Sequence, residues 1–345
     1  MDFTSENTAP VHPAIVDAVV KANTGFALNF EQEDWTRAMT ATLRRVFGHD
    51  ELAAFPVVTG TAANAVALGA MARPYEAILC HWDAHIETDE GGAPEMYTAG
   101  ARQIGIPGGH GKVDPAALAR FLRNSRFGNV HAVQPAVLSL TNLTEAGTAY
   151  SSGEVAELCA LAHEYGLKVH MDGARFANAL AARQEDAGRM SWRAGVDVLS
   201  LGTTKSGTFG AEVIVSFDPA LAREIAFMRK RGGHFVPKSR FVSAQIGAYF
   251  QDDLWLANAR HANHCARRLA QGLSTVRGIE LVHPVDGNEV FAAMPDVVVE
   301  GLMKQGYRFH KNWRSDPVQH RFVLSWASDP EEVSRLVQDC ARLAG

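Results

Sequence analysis

The chain has 345 residues, 47% of them hydrophobic and 21% charged, which is typical of a globular protein of about two domains. Its 33 Lys and Arg residues and 38 Asp and Glu residues give a net charge of -5, which argues against nucleic acid as the main partner. The four cysteines form no C-x-x-C pair, and no apolar run approaches the roughly 20 residues of a membrane span. The N-terminus has no basic and apolar leader. We therefore expect a soluble, cytoplasmic enzyme that contacts neither nucleic acid nor membrane.

Short apolar runs alternate with helical patterns over the first 252 residues. The predicted strands are 53–58, 77–80, 103–106, 131–133, 167–171 and 196–201, and the predicted helices are 62–73, 115–123, 153–165 and 219–229. Asp114 before Pro115 is typical of a helix start, and Gly166 of a helix end. This alternation predicts an α/β fold, in which helices cover both faces of a mostly parallel sheet.

The pattern changes after residue 252. A long helix is predicted at 254–276, and short strands and helices follow at 279–283, 289–293, 296–304, 321–326 and 330–343. These elements predict a small α+β domain. We therefore divide the chain into a large domain over residues 1–252, with the N-terminal segment, and a C-terminal domain over residues 253–345.

Two familiar binding motifs are considered and set aside. Residues 108–112 (GGHGK) look like a phosphate-binding loop, but Ile106 stands at the first glycine position and Val113 replaces Ser or Thr. His81 and His85 are four residues apart and could hold zinc, but they follow a strand and lack the H-E-x-x-H pattern. We expect no metal, and a zinc enzyme remains a minor alternative.

Three other segments combine polar or small residues with the end of a predicted strand. Residues 59–64 (TGTAAN) begin a helix, whose first N–H groups either bind an anion or are simply capped. Asp172 ends a strand, where it could ligate a metal, pair with a protonated ring nitrogen or only form a turn. Lys205 follows the next strand, either as a solvated lysine or as an amine of lowered pKa suited to Schiff-base chemistry.

These three segments suit one cofactor. A phosphate site, a carboxylate for a pyridine nitrogen and a strand-end lysine together are what pyridoxal 5'-phosphate requires. Asp172 and Lys205 are separated by about one strand–helix–strand unit, so both side chains can reach the same edge of the sheet.

The sequence resembles the low-specificity L-threonine aldolases and, more closely, the L-phenylserine aldolases, over essentially its whole length. The resemblance is carried by residues 59–64, by His85 with 90–95 (EGGAPE), by 170–175 (HMDGAR) and by 203–207 (TTKSG). It implies the aminotransferase-like fold of pyridoxal enzymes (fold type I). It also implies cleavage of L-β-hydroxy-α-amino acids to glycine and an aldehyde, in a homodimer or homotetramer with sites at the subunit interface.

The resemblance also implies roles for individual residues. Lys205 would form the Schiff base, Asp172 would pair with the ring nitrogen, and Arg175 would lie at the cofactor as well as the substrate. The substrate carboxylate would be bound by Ser5, Arg175 and Arg321. Gly60, Thr61 and Asn64 would form the phosphate site. His85 would stack on the cofactor ring and lie near the β-hydroxyl of the substrate, as the candidate base.

The sequence departs from this family at two positions. Many members carry a second active-site histidine after the strand that corresponds to residues 137–140, whereas this chain reads SLTNLT over 139–144. Phe30 stands where the family often has tyrosine. Phe30 and Leu143 suggest tolerance of aryl side chains, and both departures leave the identity of the base open. A β-eliminating lyase or an aminotransferase would use the same lysine, aspartate and arginine, and remains the alternative.

Overall fold

A seven-stranded sheet forms the centre of the larger part of the molecule. In the computed structural model, which describes residues 1–315 and 318–345, the spatial strand order is β1-β7-β6-β5-β4-β2-β3. β7 runs antiparallel to both neighbours, and the other pairings are parallel. The strands are β1 (Ala53–Val57), β2 (Glu76–His81), β3 (Arg102–Ile106), β4 (Gln134–Thr141), β5 (Lys168–Gly173), β6 (Val198–Gly202) and β7 (Glu212–Ser216). The expectation of a mostly parallel sheet is confirmed.

In this central sheet, one predicted strand is wrong and one observed strand, β7, was not predicted. Residues 131–133 lie in a turn, where His131 is exposed, and the strand begins one residue later at Gln134. Pro135 lies near the start of that strand, where its missing N–H is tolerated. The antiparallel strand β7 returns directly after the Lys205 turn and was missed because it follows no helix.

Both faces of this sheet are covered. Consecutive strand residues alternate between two hydrophobic clusters: Leu79 and Leu199 belong to one, and Ile78 and Val198 to the other. Such two-sided burial explains why the central strands read as nearly continuous apolar runs.

Helices flank the sheets and begin at recognisable caps. Asp114 accepts a hydrogen bond from the backbone of Ala117, as predicted, and Ser151 and Glu154 form a capping box. The helices are α1 (Pro13–Ala22), α2 (Asp34–Phe47), α3 (Gly60–Met71), α4 (His85–Thr88), α5 (Ala93–Tyr97), α6 (Pro115–Asn124), α7 (Ser152–Glu164), α8 (Phe176–Arg183), α9 (Pro219–Arg231), α10 (Arg240–Tyr249), α11 (Leu254–Leu273), α12 (Asp296–Lys304) and α13 (Pro330–Ala344). Within the described ranges, none of them has both the length and the apolar character that a bilayer crossing requires.

A second sheet of four strands lies in the C-terminal part, in the order β10-β11-β9-β8. Its strands are β8 (Glu280–Leu281), β9 (Glu289–Ala293), β10 (His310–Ser315) and β11 (Val318–Val323). The N-terminal segment joins this part, since Phe3 packs in its hydrophobic cluster and exchanges backbone hydrogen bonds with Arg308 and Val323. The division at residues 252 and 253 stays a prediction.

Candidate active site

The carboxyl ends of three adjacent parallel strands open into a cavity of about 620 Å³. The register places Thr141 of β4, Asp172 of β5 and Ser200 of β6 side by side, and all three line the cavity. Ligands of open α/β sheets bind at this edge. The structure therefore brings the strand-end residues of the sequence together in one place.

Asp172 is held in a fixed orientation. One carboxylate oxygen accepts from the backbone N–H of Ala174 and the other from the side-chain amide of Asn64, both at 2.9 Å. Asn64 was expected at the phosphate site, but its amide bonds Asp172 and, at 2.8 Å, Glu90. In this structure Asn64 therefore orients the carboxylates of Asp172 and Glu90.

The N-terminus of α3 borders the same cavity. Thr59 caps this helix by accepting from the N–H of Ala62 at 3.1 Å, and Gly60 and Thr61 line the cavity. A side chain at Gly60 would meet no atom within 4 Å, so the space in front of the helix end is open. Unpaired N–H groups and the helix dipole make this end suitable for an anion.

Lys205 lies in a short 3-10 turn, Thr204–Ser206, between β6 and β7. Burial lowers its pKa, and the positive charge of Arg175 lowers it further. The turn is fixed by Glu212, whose carboxylate accepts from the backbone N–H of Thr203 at 2.8 Å. Burial raises the pKa of Glu212 to about 7. Lys205 thus occupies a setting that favours a neutral, nucleophilic amine.

His85 begins α4 and is fixed by two glutamates. Its ring nitrogen Nδ1 lies 2.9 Å from Oε1 of Glu90, and its backbone N–H donates to Oε1 of Glu145 at 2.7 Å. Because a carboxylate can only accept, Nδ1 carries a proton and Nε2 is the ring nitrogen left for a ligand. The hydrogen bond with Glu90 raises the pKa of His85, against the effect of burial.

The two arginines expected at the substrate carboxylate are paired with glutamates. Arg175 donates to Glu6 from Nε at 2.5 Å and from Nη2 at 3.1 Å, and its Nη1 lies 3.4 Å from Glu289. Arg321 donates to Glu289 from Nε at 2.8 Å. Glu6 and Arg175 line the cavity, whereas Arg321 does not. Glu6, Arg175, Glu289 and Arg321 therefore form a row of alternating charges at this end of the cavity.

Ser5 lies outside the cavity lining, although the next residue, Glu6, belongs to it. Its hydroxyl accepts from the backbone N–H of Asn7 at 3.2 Å and so begins a 3-10 turn. Burial alone would raise the pKa of Glu6, but the charge and hydrogen bonds of Arg175 lower it to about 2. The N-terminal segment thus brings a buried, ionised carboxylate to the site.

Besides Glu6 and Glu289, which pair with the arginines, three further glutamates of this site had no predicted role. Glu90 stood in the motif that carried the resemblance, whereas Glu145 and Glu212 were not singled out. Glu145 lies in the loop after β4 and Asp172 near the carboxyl end of β5, so the search of strand ends that identified Asp172 could have been extended to Glu145. Nothing in the local sequence marks Glu212, whose contact with Thr203 is created by the antiparallel return of β7.

The two residues that depart from the family pattern lie in different places. Leu143 lines the cavity and is 2% exposed, in close contact with Gly287. Phe30 is not among the lining residues and packs on Phe235, with the ammonium of Lys230 4.9 Å from its ring centre. Of these two residues, Leu143 is therefore the one positioned to contact a ligand in the cavity.

His81, one of the two histidines considered for zinc in the sequence, uses both ring nitrogens in contacts with backbone groups. His81 uses Nε2 in a 3.2 Å contact with the carbonyl of Gly108, and its Nδ1 accepts from the backbone N–H of Asp83. Within residues 1–315 and 318–345, no group of three or more His, Cys, Asp or Glu side chains is arranged to hold a metal.

Pyridoxal phosphate fits the chemistry of the cavity. The open space at the start of α3 suits a phosphate, Asp172 offers a fixed carboxylate to a ring nitrogen, and Lys205 offers an amine to an aldehyde. All three line one cavity.

Comparison with known proteins leads to the same group of enzymes. A sequence model of the family described as beta-eliminating lyase matches residues 2–296. The low specificity L-threonine aldolase of Pseudomonas aeruginosa is 36% identical over 343 residues, covering 99% of this chain and 98% of that protein. Another, from a Pseudomonas sp. strain, is 35% identical over 98% of this chain and 96% of its own. The solved threonine aldolase of Leishmania major has a TM-score of 0.93 at 25% identity, covering 100% of this chain and 99% of that one.

Proposed function

The chain belongs to the beta-eliminating lyase family and, within it, to the low-specificity L-threonine aldolases, and from this premise we propose that it cleaves the Cα–Cβ bond of L-β-hydroxy-α-amino acids. The products are glycine and an aldehyde, so the enzyme is a carbon–carbon lyase. Its cofactor is pyridoxal 5'-phosphate, and its fold is fold type I. The observation that carries the proposal is the meeting of Lys205, Asp172 and the N-terminus of α3 in one cavity.

Lys205, Asp172 and α3 would hold the cofactor. Pyridoxal phosphate, when bound, accepts the electron pair that the broken Cα–Cβ bond leaves on Cα. Lys205 would supply the amine for its aldehyde carbon, and a lowered pKa favours such a reaction. Asp172 would keep the ring nitrogen protonated by placing a negative charge beside it. Gly60 and Thr61 would bind the phosphate through their backbone N–H groups.

The arginine-rich end of the cavity would bind the substrate carboxylate. Arg175 lines the cavity and can hold a carboxylate with two parallel hydrogen bonds. In this structure those donors face Glu6, so the substrate has to share or displace that glutamate. Arg321 and Ser5 lie behind the lining, and we propose that they act through Glu289 and the 3-10 turn that Ser5 caps, respectively.

His85 is proposed to lie at the β-hydroxyl of the substrate and to stack on the cofactor ring. Its Nε2 is available for that contact because Nδ1 is engaged by Glu90. A group that exchanges a proton with the hydroxyl as the bond breaks contributes roughly 10²–10⁴-fold to the rate.

A substrate panel tests the proposal. The holoenzyme is incubated with L-threonine, L-allo-threonine and L-phenylserine, and glycine, aldehyde, ammonia and oxo acid are all measured. We expect glycine and aldehyde in equal amounts. Release of ammonia with an oxo acid would instead support a β-eliminating lyase, and amino transfer to an oxo acid an aminotransferase.

We also propose that aryl substrates such as phenylserine are accepted. Leu143 lines the cavity with an apolar side chain, a kind of wall that is compatible with an aromatic ring. The relative kcat/KM of phenylserine and threonine in the same panel measures this preference.

A homodimer or homotetramer in the cytoplasm is the proposed state of the enzyme. Phe26 and Leu28 are exposed large apolar side chains in one short segment, which is unusual unless a partner covers them. The four cysteines are free and buried, as expected in a reducing compartment. Light scattering of the purified holoenzyme measures the number of subunits.

A further inference from the structure

Glu145 carries a buried carboxylate oxygen that accepts no hydrogen bond from the residues that the structure describes. The residue lies in the loop after β4 and lines the cavity. Its Oε1 accepts from the backbone N–H of His85 at 2.7 Å, whereas its Oε2 is inaccessible to solvent and has no hydrogen-bond partner among the described residues. An unpaired buried oxygen of this kind costs free energy. In an active-site cavity it indicates a partner that arrives with the ligand.

From this geometry we propose that Oε2 of Glu145 receives the β-hydroxyl proton of the substrate, an inference that rests on the function proposed above. As the O–H bond breaks, its electron pair forms the aldehyde C=O bond, and the Cα–Cβ pair stays on the glycine Cα. Cα takes up a proton from solvent, and Glu145 releases the hydroxyl proton to solvent once the aldehyde has left, so one complete turnover consumes no net proton. Glu145 thereby supplies a proton acceptor to a site that lacks the family's second histidine.

The ionisation of the two candidate groups supports a division of roles. Burial, and secondarily the charge of Asp172, raises the pKa of Glu145 to about 7, which suits a group that exchanges protons near neutral pH. The hydrogen bond with Glu90 raises the pKa of His85, which shifts this ring toward its protonated form. His85 is then the donor to the hydroxyl oxygen, and Glu145 is the acceptor of the hydroxyl proton.

The surroundings of Glu145 distinguish it from the other buried glutamate of raised pKa. Charged and titratable groups interact with it from several elements: Asp172 and Arg175 at the end of β5, His85 of α4, Cys80 of β2 and Tyr150 before α7. Glu212, in contrast, accepts a hydrogen bond from Thr203 in the Lys205 turn, and neither of its oxygens is buried without a hydrogen-bond partner. Of the two, only Glu145 keeps an oxygen for the substrate.

Glu145→Gln tests this assignment, because the amide keeps an oxygen for the His85 N–H but cannot take a proton. We expect kcat for phenylserine cleavage to fall by about 100-fold or more. The acidic limb of the kcat/KM profile, near pH 7, should disappear. Exchange of the glycine α-proton with solvent deuterium needs no β-hydroxyl, and should stay within about threefold of wild type. Glu145→Asp, which keeps the carboxylate, should recover part of the cleavage rate.

Two results would overturn the assignment. Cleavage by Glu145→Gln within about threefold of wild type would show that no proton passes through this residue. Equal loss of cleavage and glycine exchange, with Glu145→Asp no better, would show a structural role. Glu154→Gln is the matched control, because Glu154 caps α7 away from the cavity lining, and it should leave both rates unchanged. A wild-type enzyme that exchanges the glycine proton but releases no aldehyde would instead refute the proposed function itself.

Discussion

The two ends of the cavity are built in different ways. The cofactor end uses side chains at the carboxyl ends of strands of one sheet, with Asp172 near the end of β5 and Lys205 in the turn after β6, and the sheet fixes both positions. The carboxylate end joins segments from both ends of the chain. Glu6 reaches Arg175 across 169 residues of sequence, and Arg321 reaches the same network through Glu289.

This difference indicates which part of the site adjusts to a ligand. At the cofactor end, Asp172 is fixed through hydrogen bonds on both oxygens while the cavity in front of α3 stays open. At the carboxylate end, the donors of Arg175 are already taken by glutamates. A substrate carboxylate bound there would have to share or displace a glutamate, whereas a cofactor at the other end would displace no protein group. Variants at the two ends should therefore fail in different ways.

The largest effect is expected at Lys205, at the cofactor end. Lys205→Ala removes the amine that binds the cofactor aldehyde, so turnover should fall below detection and the visible absorption of the lysine-bound cofactor should vanish. Lys168→Ala is the control, because Lys168 pairs with Asp197 and Asp218 at the other end of the strands. A Lys205→Ala protein with normal colour and turnover would place the reactive amine elsewhere.

Asp172→Asn should come next in size. The amide keeps the shape of the side chain but lacks the negative charge that would stabilise a protonated ring nitrogen. We therefore expect kcat to fall by about 100-fold while the cofactor stays bound. Asp197→Asn is matched to it, because Asp197 accepts from the N–H of Val169 at the opposite end of β5. Wild-type turnover by Asp172→Asn would make Asp172 a turn residue only.

The cofactor end was largely predictable from the sequence. Apolar runs that end in Asp172 or precede Lys205 are local signals, and the edge rule for parallel strands brings them together. The helix start at residues 59–64 is equally local. The error at residues 131–133 concerns where the strand begins: it starts at Gln134, and Pro135 is tolerated near the start of a strand.

The carboxylate end was only half predictable. Arg175 and Arg321 were identified through the resemblance, but their partners were not, because nothing local in the sequence links Glu6 or Glu289 to an arginine. Glu289 lies inside strand β9, where its burial is acceptable only because two guanidinium groups face it. Ion pairs between distant segments follow from tertiary packing, and periodicity and caps carry no information about them.

Glu6→Gln, at the carboxylate end, should affect stability more than cofactor binding. Removing one partner of a buried ion pair leaves Arg175 short of a counter-charge, so the free energy of unfolding in urea at pH 7 should fall by about 3 kcal/mol. Because the pKa of Glu6 is lowered from its ordinary 4.5 to about 2, its contribution is present above pH 4.5 and is lost as the pH falls toward 2. The difference between variant and wild type should therefore shrink across that window.

The exposed pair of Arg260 and Asp253, 3.0 Å apart, provides the control for Glu6→Gln. Both of its side chains are more than half exposed, so water and salt screen their attraction, and Asp253→Asn should change stability by no more than about 0.5 kcal/mol. An equal effect of the two substitutions at pH 7 would remove the distinction between a buried charge network and an ordinary surface pair. A Glu6→Gln effect that stayed constant between pH 7 and pH 3 would show instead that Glu6 stabilises through packing, because loss of its charge would then leave its contribution intact.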